Sequence, residues 1–277
     1  MAADIRKGLT FATVLCAMAA LPVAAREIYV VRAFTPAARF EGCTYLYWTD
    51  DLRFLNTTSR DLTVRLLGVS NGGPRSEQRE LLVPAGEVRS PRDLSIDWAP
   101  VGAGATTAFW VNHLEIPDGL EVSSRAQPTA GCGPPCFPCL DGRVFGSIAL
   151  PVFGALTEPN RPRYLLRTDL GTDGSLTTPS RVNVGIYNAG SATATATIEL
   201  RRECDRVLVA RGVHDIPADT FIQIPAFGND TRGQRCTGGL RWATYVVVTV
   251  DQPSFAYAAT LSYQLPPIIP VSISSPN

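Results

Sequence analysis

The chain has 277 residues, 25 basic and 25 acidic side chains, and a formal net charge of zero. That balance, with no basic block, excludes nucleic acid and anionic membrane surfaces as the partners its charge would select. Its 23 glycines and 22 prolines cut the apolar residues into short runs, which excludes long helical architectures.

The first element is "MAADIRKGLTFATVLCAMAALPVAAREIYV". Arg6 and Lys7 precede an apolar segment from Leu9 to Ala20, and Val23-Ala24-Ala25 has the small residues of a cleavage site, so residues 1–25 read as a secretory signal peptide. The apolar segment is shorter than the roughly 20 residues of a membrane span, so no transmembrane segment is expected after cleavage. Cys16 follows Leu15 inside the apolar segment, which argues against a lipoprotein signal. The predicted product is a secreted chain, extracellular or periplasmic, with domains at 26–155 and 156–277. Lys7 is the only lysine, so every basic residue of the product is arginine.

Along the product, short apolar or alternating runs are separated by Gly, Pro, Asn, Asp and Ser. Leu62, Val64 and Leu66 lie two apart, as do Ala194, Ala196 and Ile198, which is the period of a half-buried strand. "YVVVTV", Tyr245 to Val250, is β-branched and apolar at both parities and suits a central sandwich strand. Three landmarks then repeat at a separation of 132 to 135 residues. Asn56 in "WTDDLRFLNTTSRDLTVRLL" matches Asn188 in "SRVNVGIYNAGSATATATIEL", and Pro84-Ala85 matches Pro217-Ala218. "FWVNHLEIPDGLEVSSR" from Phe109 matches "TYVVVTVDQPSFAYAAT" from Thr244. The expected fold is all-β, two tandem immunoglobulin-like β-sandwich domains of about 100 residues each.

The runs "WTDDLRFLN", "SSR" at Ser123 to Arg125, "GRVFGSIALPV" at Gly142 to Val152, and "SRVNVGIYN" carry a resemblance. Together they resemble a two-part pattern of secreted tandem β-sandwich proteins of soil bacteria. In that pattern a Trp-x-Thr-Asp-Leu strand opens one sandwich and an Arg-Thr-Asn-Leu-Gly strand opens the next. This chain has Val182 where the pattern has Thr, and it adds cysteines. The resemblance spans most of residues 28–268; it implies the fold and brings no known activity.

Candidate chemistry is sparse. "GVSNG", Gly68 to Gly72, fits the letters of a nucleophile elbow, but "GGPRSEQ" and a second strand follow where a helix is needed, so a loop is expected. The histidines, His113 and His214, fall in or beside strands. Asp50, Asp51, Glu115 and Glu121 are carboxylates that no spacing pairs, and carboxylates on strands are expected to face solvent. "DLGTDG", Asp169 to Gly174, has part of a calcium-loop pattern, but Gly171 replaces a ligand and Arg181 stands where the closing glutamate belongs. Of the aromatics, Tyr45, Tyr47, Trp48, Trp98, Trp110 and Trp242 are expected mostly in the core. Asn56-Thr57-Thr58 and Asn229-Asp230-Thr231 match the glycosylation sequon. No cofactor or metal site is expected.

Six cysteines remain after cleavage: Cys43, Cys132, Cys136, Cys139, Cys204 and Cys236. An even number in an oxidising compartment predicts disulfides. Cys204 and Cys236 are expected to clip loops of the second domain, and Cys43 to pair with Cys132 or Cys139 of "GCGPPCFPCLDG". That loop is read as the tip of a long hairpin between "LEVSSRAQ" and "RVFGSIALPV", and not as a cluster or zinc site. The expected function is structural, adhesive or ligand-binding, without catalysis, toward an extracellular protein or glycan. The alternative is an extracellular hydrolase or a carbohydrate-binding accessory module.

Overall fold

The computed structural model describes residues 24–40, 44–73, 77–100, 108–132, 148–154, 163–168, 180–202, 205–226, 244–263 and 268–274, with side chains over 24–32, 50–73, 77–100, 109–126, 149–154, 183–202, 205–224 and 245–258. The chain is all-β, and every strand pair among the described residues is antiparallel. One short 3-10 turn, Arg92–Leu94, is the sole helical feature described. Residues 1–23 of the expected signal peptide, the segment 169–174, Cys43, Cys136, Cys139, Cys204, Cys236, Trp242 and the sequon at Asn229 lie outside the described residues.

The N-terminal half contributes β1 (Ala25–Phe40), β2 (Thr44–Asn56), β3 (Leu62–Val69), β4 (Glu80–Val83), β5 (Val88–Arg89), β6 (Ala108–Pro117), β7 (Leu120–Cys132), β8 (Ile148–Leu150) and β9 (Val152–Gly154). The C-terminal half contributes β10 (Arg163–Thr168), β11 (Ser180–Asn188), β12 (Ala194–Arg202), β13 (Leu208–Ile216), β14 (Thr220–Ala226), β15 (Thr244–Val250), β16 (Ser254–Tyr263) and β17 (Ile268–Ser274). In the second half one sheet runs β10-β15-β12-β13 and another β14-β11-β16-β17. Their facing sides meet in one core, where Val184 and Ile186 of β11 pack with Ile198 and Leu200 of β12 and Val246 and Val248 of β15. The first half orders β4-β3-β6-β1 and then β2-β7-β8, with β5 on β2. Position by position this matches the second half, apart from β9, which pairs β1.

β1 links the two layers of the first half. Ala25 to Phe34 pair with β6, whereas Thr35 to Phe40 pair with β2. The register slips between Thr35 and Ala38, the interval that holds Pro36. Proline has no N–H to give a ladder, so a bulge where the strand changes partners is the place a sheet accepts it. The alternation read from Leu62, Val64 and Leu66 is observed: all three are buried with Trp98, Phe54 and Ile116 in the first core. β15 is a central strand between β10 and β12, as its apolar run predicts. The expected hairpin flanks also pair, Ser124 opposite Leu150 and Ala126 opposite Ile148. On the β2–β7 ladder the backbone of Cys132 stands opposite Thr44, the neighbour of Cys43.

The two matched asparagines explain why the turns after β2 and β11 are alike. Asn56 Nδ2 donates to the carbonyls of Arg60 (2.7 Å) and Val83 (2.9 Å), and its Oδ1 accepts from the Thr58 N–H (2.9 Å). Asn188 Nδ2 donates to Ala192 (2.8 Å) and Ile216 (2.9 Å), and its Oδ1 accepts from the Gly190 N–H (2.9 Å). Both residues are fully buried. Each ties a strand end to the residue before a Pro-Ala turn, and that turn holds a left-handed residue at the same place, Gly86 (φ 70) in one half and Asp219 (φ 50) in the other. Asn56 is therefore structural, and the sequon reading fails because its amide is sealed inside the fold.

Removing either amide strands one buried carbonyl, Val83 or Ile216, together with a part-buried carbonyl and a part-buried N–H, and the buried group is the costly one without a partner. Asn56→Ala and Asn188→Ala should each lower the unfolding free energy by about 2–4 kcal/mol in urea titrations. A loss below about 0.5 kcal/mol at either position would contradict the shared role.

Candidate functional site

Strand parity leads to the molecule's most distinctive surface. On β1, Ile28 and Val30 point into the first core, so Tyr29 and Val31 point away from it, yet both are buried. β6 behaves alike: Trp110 and Leu114 face inward while Val111 faces outward and is buried. On β16, Ala256 and Ala258 fill the second core, and Phe255 and Tyr257 are buried on the opposite face. These outer faces bury one another in a third apolar cluster, a seam joining the halves.

The seam is aromatic. Tyr29 meets Tyr187 at 5.6 Å and Phe255 at 5.3 Å between ring centroids, Phe153 stacks on Phe255 at 4.1 Å, and Phe109 meets Phe221 at 6.4 Å. At about 0.5–1.5 kcal/mol per pair beyond area burial, these four contacts contribute roughly 2–6 kcal/mol to holding the halves together. Gly185 makes the fit feasible. A Cβ there would lie 2.3 Å from the Tyr257 ring and 3.0 Å from Phe221, so only glycine lets the ring lie across β11.

Polar groups lock the rim. The Tyr187 hydroxyl donates to Asp219 Oδ1 at 2.6 Å, which gives the left-handed turn residue of the second half a use that Gly86 lacks. Asn71, also left-handed (φ 64), bridges the halves: its Oδ1 accepts the Phe221 N–H at 3.0 Å, and its Nδ2 donates to the Phe109 carbonyl at 3.2 Å. His113 stacks on Tyr29 with centroids 4.4 Å apart and is hydrogen-bonded to Glu27 Oε2 at 2.8 Å.

A second polar cluster lies under the first core. Arg32 is buried, pairs with Asp50 through Nε, donates to Asn112 Oδ1 at 3.0 Å, and holds its guanidinium 5.5 Å from the Trp110 ring centroid. Asn112 Nδ2 in turn donates to the Trp98 carbonyl at 2.8 Å. The Arg32 charge is met by Asp50 and Asn112, as a buried charge requires.

The sequence-derived candidates are scattered across these structural roles. Ser70 of "GVSNG" is buried in a turn, its Oγ accepting the Val111 N–H at 2.8 Å, and among the described residues no helix follows it. The carboxylates do not converge: Asp50 pairs with Arg32, Asp51 with Arg53 at 2.9 Å, Glu115 with Arg65 at 3.5 Å, and Glu121 is exposed. The expectation that strand carboxylates face solvent fails at Asp50, whose position shares the inward parity of Leu52 and Phe54. Trp98 and Trp110 are core residues, as expected, and Trp98 Nε1 donates to the Gln78 carbonyl at 3.0 Å. The side chains of Tyr45, Tyr47, Trp48 and Cys132 lie outside the described residues. His214 lies beside Gly212, with Nε2 3.2 Å from where a Cβ there would be. No group of three or more His, Cys, Asp or Glu suited to a metal ion occurs among the described residues. Likewise, no helix among them is long and apolar enough to cross a membrane.

What sequence reading missed is the seam, Asn71 and Arg32. The signal was available as parity: "EIYVVR" and "SFAYAA" are apolar at both parities, and Arg32 shares the inward parity of Ile28 and Val30.

The seam makes a pH prediction. Burial first, then the hydrogen bond to Asp219 and its charge, push the Tyr187 phenol well above the ordinary tyrosine range; burial alone does so for Tyr257, whose hydroxyl has no hydrogen-bond partner among the described residues. Folded phenols thus stay protonated above about pH 10, where unfolded tyrosines ionise. The stability linked to them is fully present below about pH 10 and is lost as pH rises toward the folded values. Urea unfolding should weaken by about 1.4 kcal/mol per pH unit for each phenol above that point, and Tyr187→Phe with Tyr257→Phe should flatten the slope. An unfolding midpoint unchanged to about pH 11 would contradict the buried seam.

Comparison with known proteins finds no matching family model, no matching curated protein and no matching solved structure.

Proposed function

We propose that the chain is a secreted, non-catalytic module of two tandem immunoglobulin-like β-sandwiches, with a structural, adhesive or ligand-binding role at or outside the cell envelope. Its partner class is an extracellular protein or glycan, and its six cysteines form disulfides. The matched strand orders of the two halves and the twin asparagine turns support the tandem reading. The signal-peptide pattern supports secretion.

One observation carries the functional part: where polar and apolar groups are spent. Several of the groups weighed for catalysis are engaged in internal contacts, Asp50 on Arg32, Ser70 on Val111, His113 on Glu27 and Tyr29, while Glu121 is exposed. Of the eight exposed large apolar residues described, three fall on one strand and its lead-in, at Val207, Leu208 and Val213, and the other five are spread over the first half. Exposed apolar groups of that kind mark interaction surfaces.

The direct check is retention of the mature protein on glycan arrays and on envelope fractions, with chromogenic glycosides and esters assayed alongside. Saturable binding to one class without turnover is the expected result. Turnover of a glycoside or ester would replace the module by the hydrolase alternative.

A further inference from the structure

Sheet edges are open hydrogen-bonding templates, and proteins normally shorten, kink or cover them. Most edge strands described here follow that rule. β4, β5, β8 and β9 have two to four residues, β14 and β17 carry Pro225 and Pro270, and β10 packs against β16 and β17 of the facing sheet. β13 departs from it, apart from the register shift that its ladder with β12 makes between Leu208 and Ala210. It has nine residues and no proline, and among the described residues it pairs with β12 alone. Its counterpart in the first half, β4, has only four. Lysine, a common edge guard, is missing from the whole product.

β13 is also self-complementary. Arg211, Val213 and Asp215 share its exposed face, and Val213, at 56% exposure, is the most exposed large apolar residue described. Turned antiparallel on itself about Val213, the strand sets Arg211 opposite Asp215 twice and Val213 opposite Val213. Opposite charges and β-branched residues facing directly across strands stabilise such a ladder, and like charges would oppose it. We propose that β13 is the docking edge for a second copy of this chain, joining two β10-β15-β12-β13 sheets into one continuous sheet across a two-fold axis. This rests on the module reading and names its partner for this edge as the chain itself.

A charge swap tests the register. Sedimentation of the mature protein over a wide concentration range should show a reversible dimer. Arg211→Asp places two acidic residues opposite two others and Asp215→Arg places four arginines together, so each variant should dimerise at least about tenfold more weakly. Mixed in equal amounts, the two should recover a heterodimer of wild-type strength, which general damage to the fold would not allow. A wild-type chain that stays monomeric throughout, variants that dimerise undiminished, or a mixture that fails to recover would overturn the proposal. Glycan or envelope binding by such a monomer would leave the module reading standing, so the two fail separately.

Discussion

Among the described strands, several are apolar on both faces, and the second face of each has to be buried somewhere. β1, β6, β11 and β16 use one face for the core of their own half. Tyr29, Val31, Val111, Tyr187, Phe255 and Tyr257 fill the other. Exposed, such a surface would form a contiguous apolar patch of the kind monomeric proteins rarely tolerate. Placed against each other, the two faces remove that cost, and the same contact fixes how the halves meet. Contacts between domains of one chain are commonly polar and permit relative motion, but an aromatic seam is the exception in which motion is expected to be suppressed. The roughly 2–6 kcal/mol from its ring contacts is a sizeable fraction of the roughly 5–15 kcal/mol that stabilises a typical domain, so the halves are expected to be coupled.

Apolar burial alone would not select one register for such a contact. The polar groups at the rim do, because a hydrogen bond fails when a strand slips by one residue. Asn71 reaches across to the Phe221 N–H, and within the second half Asp219 fixes the Tyr187 hydroxyl whose ring packs in the seam. Both residues lie in the left-handed region, where asparagine and aspartate are more at ease than most side chains. Inside each half, Asn56 and Asn188 make the equivalent choice for the turns, and Arg32 with Asp50 and Asn112 ties β1, β2 and β6 together.

Period-2 alternation made the strands of β3 and β12 legible, since their inner and outer residues differ in polarity. The repeat landmarks were legible too, because Asn56 and Asn188 do the same job in the same surroundings. The seam was harder to read. A strand apolar on both faces is equally compatible with a central position, as in β15, and with contact to a neighbouring half, as in β16. Only the three-dimensional arrangement separates those cases. "GVSNG" shows the opposite difficulty: its letters point to Ser70 as a nucleophile, whereas its distinctive residue is Asn71, whose role depends on a strand 150 positions away. Arg32 was hidden by the habit of reading charge as exposure; only parity reveals that it points inward.

With the halves locked, the surfaces they present are held in a fixed relation, which suits a scaffold that displays an edge or loop to a partner. That view depends on the seam making one cooperative body out of the two halves. Scanning calorimetry of the mature chain, compared with residues 161–277 alone, tests it most directly. The account predicts one transition whose calorimetric and van't Hoff enthalpies agree, and a C-terminal half that melts well below it. Two separable transitions, with the isolated half melting at the temperature it shows in the whole chain, would contradict it.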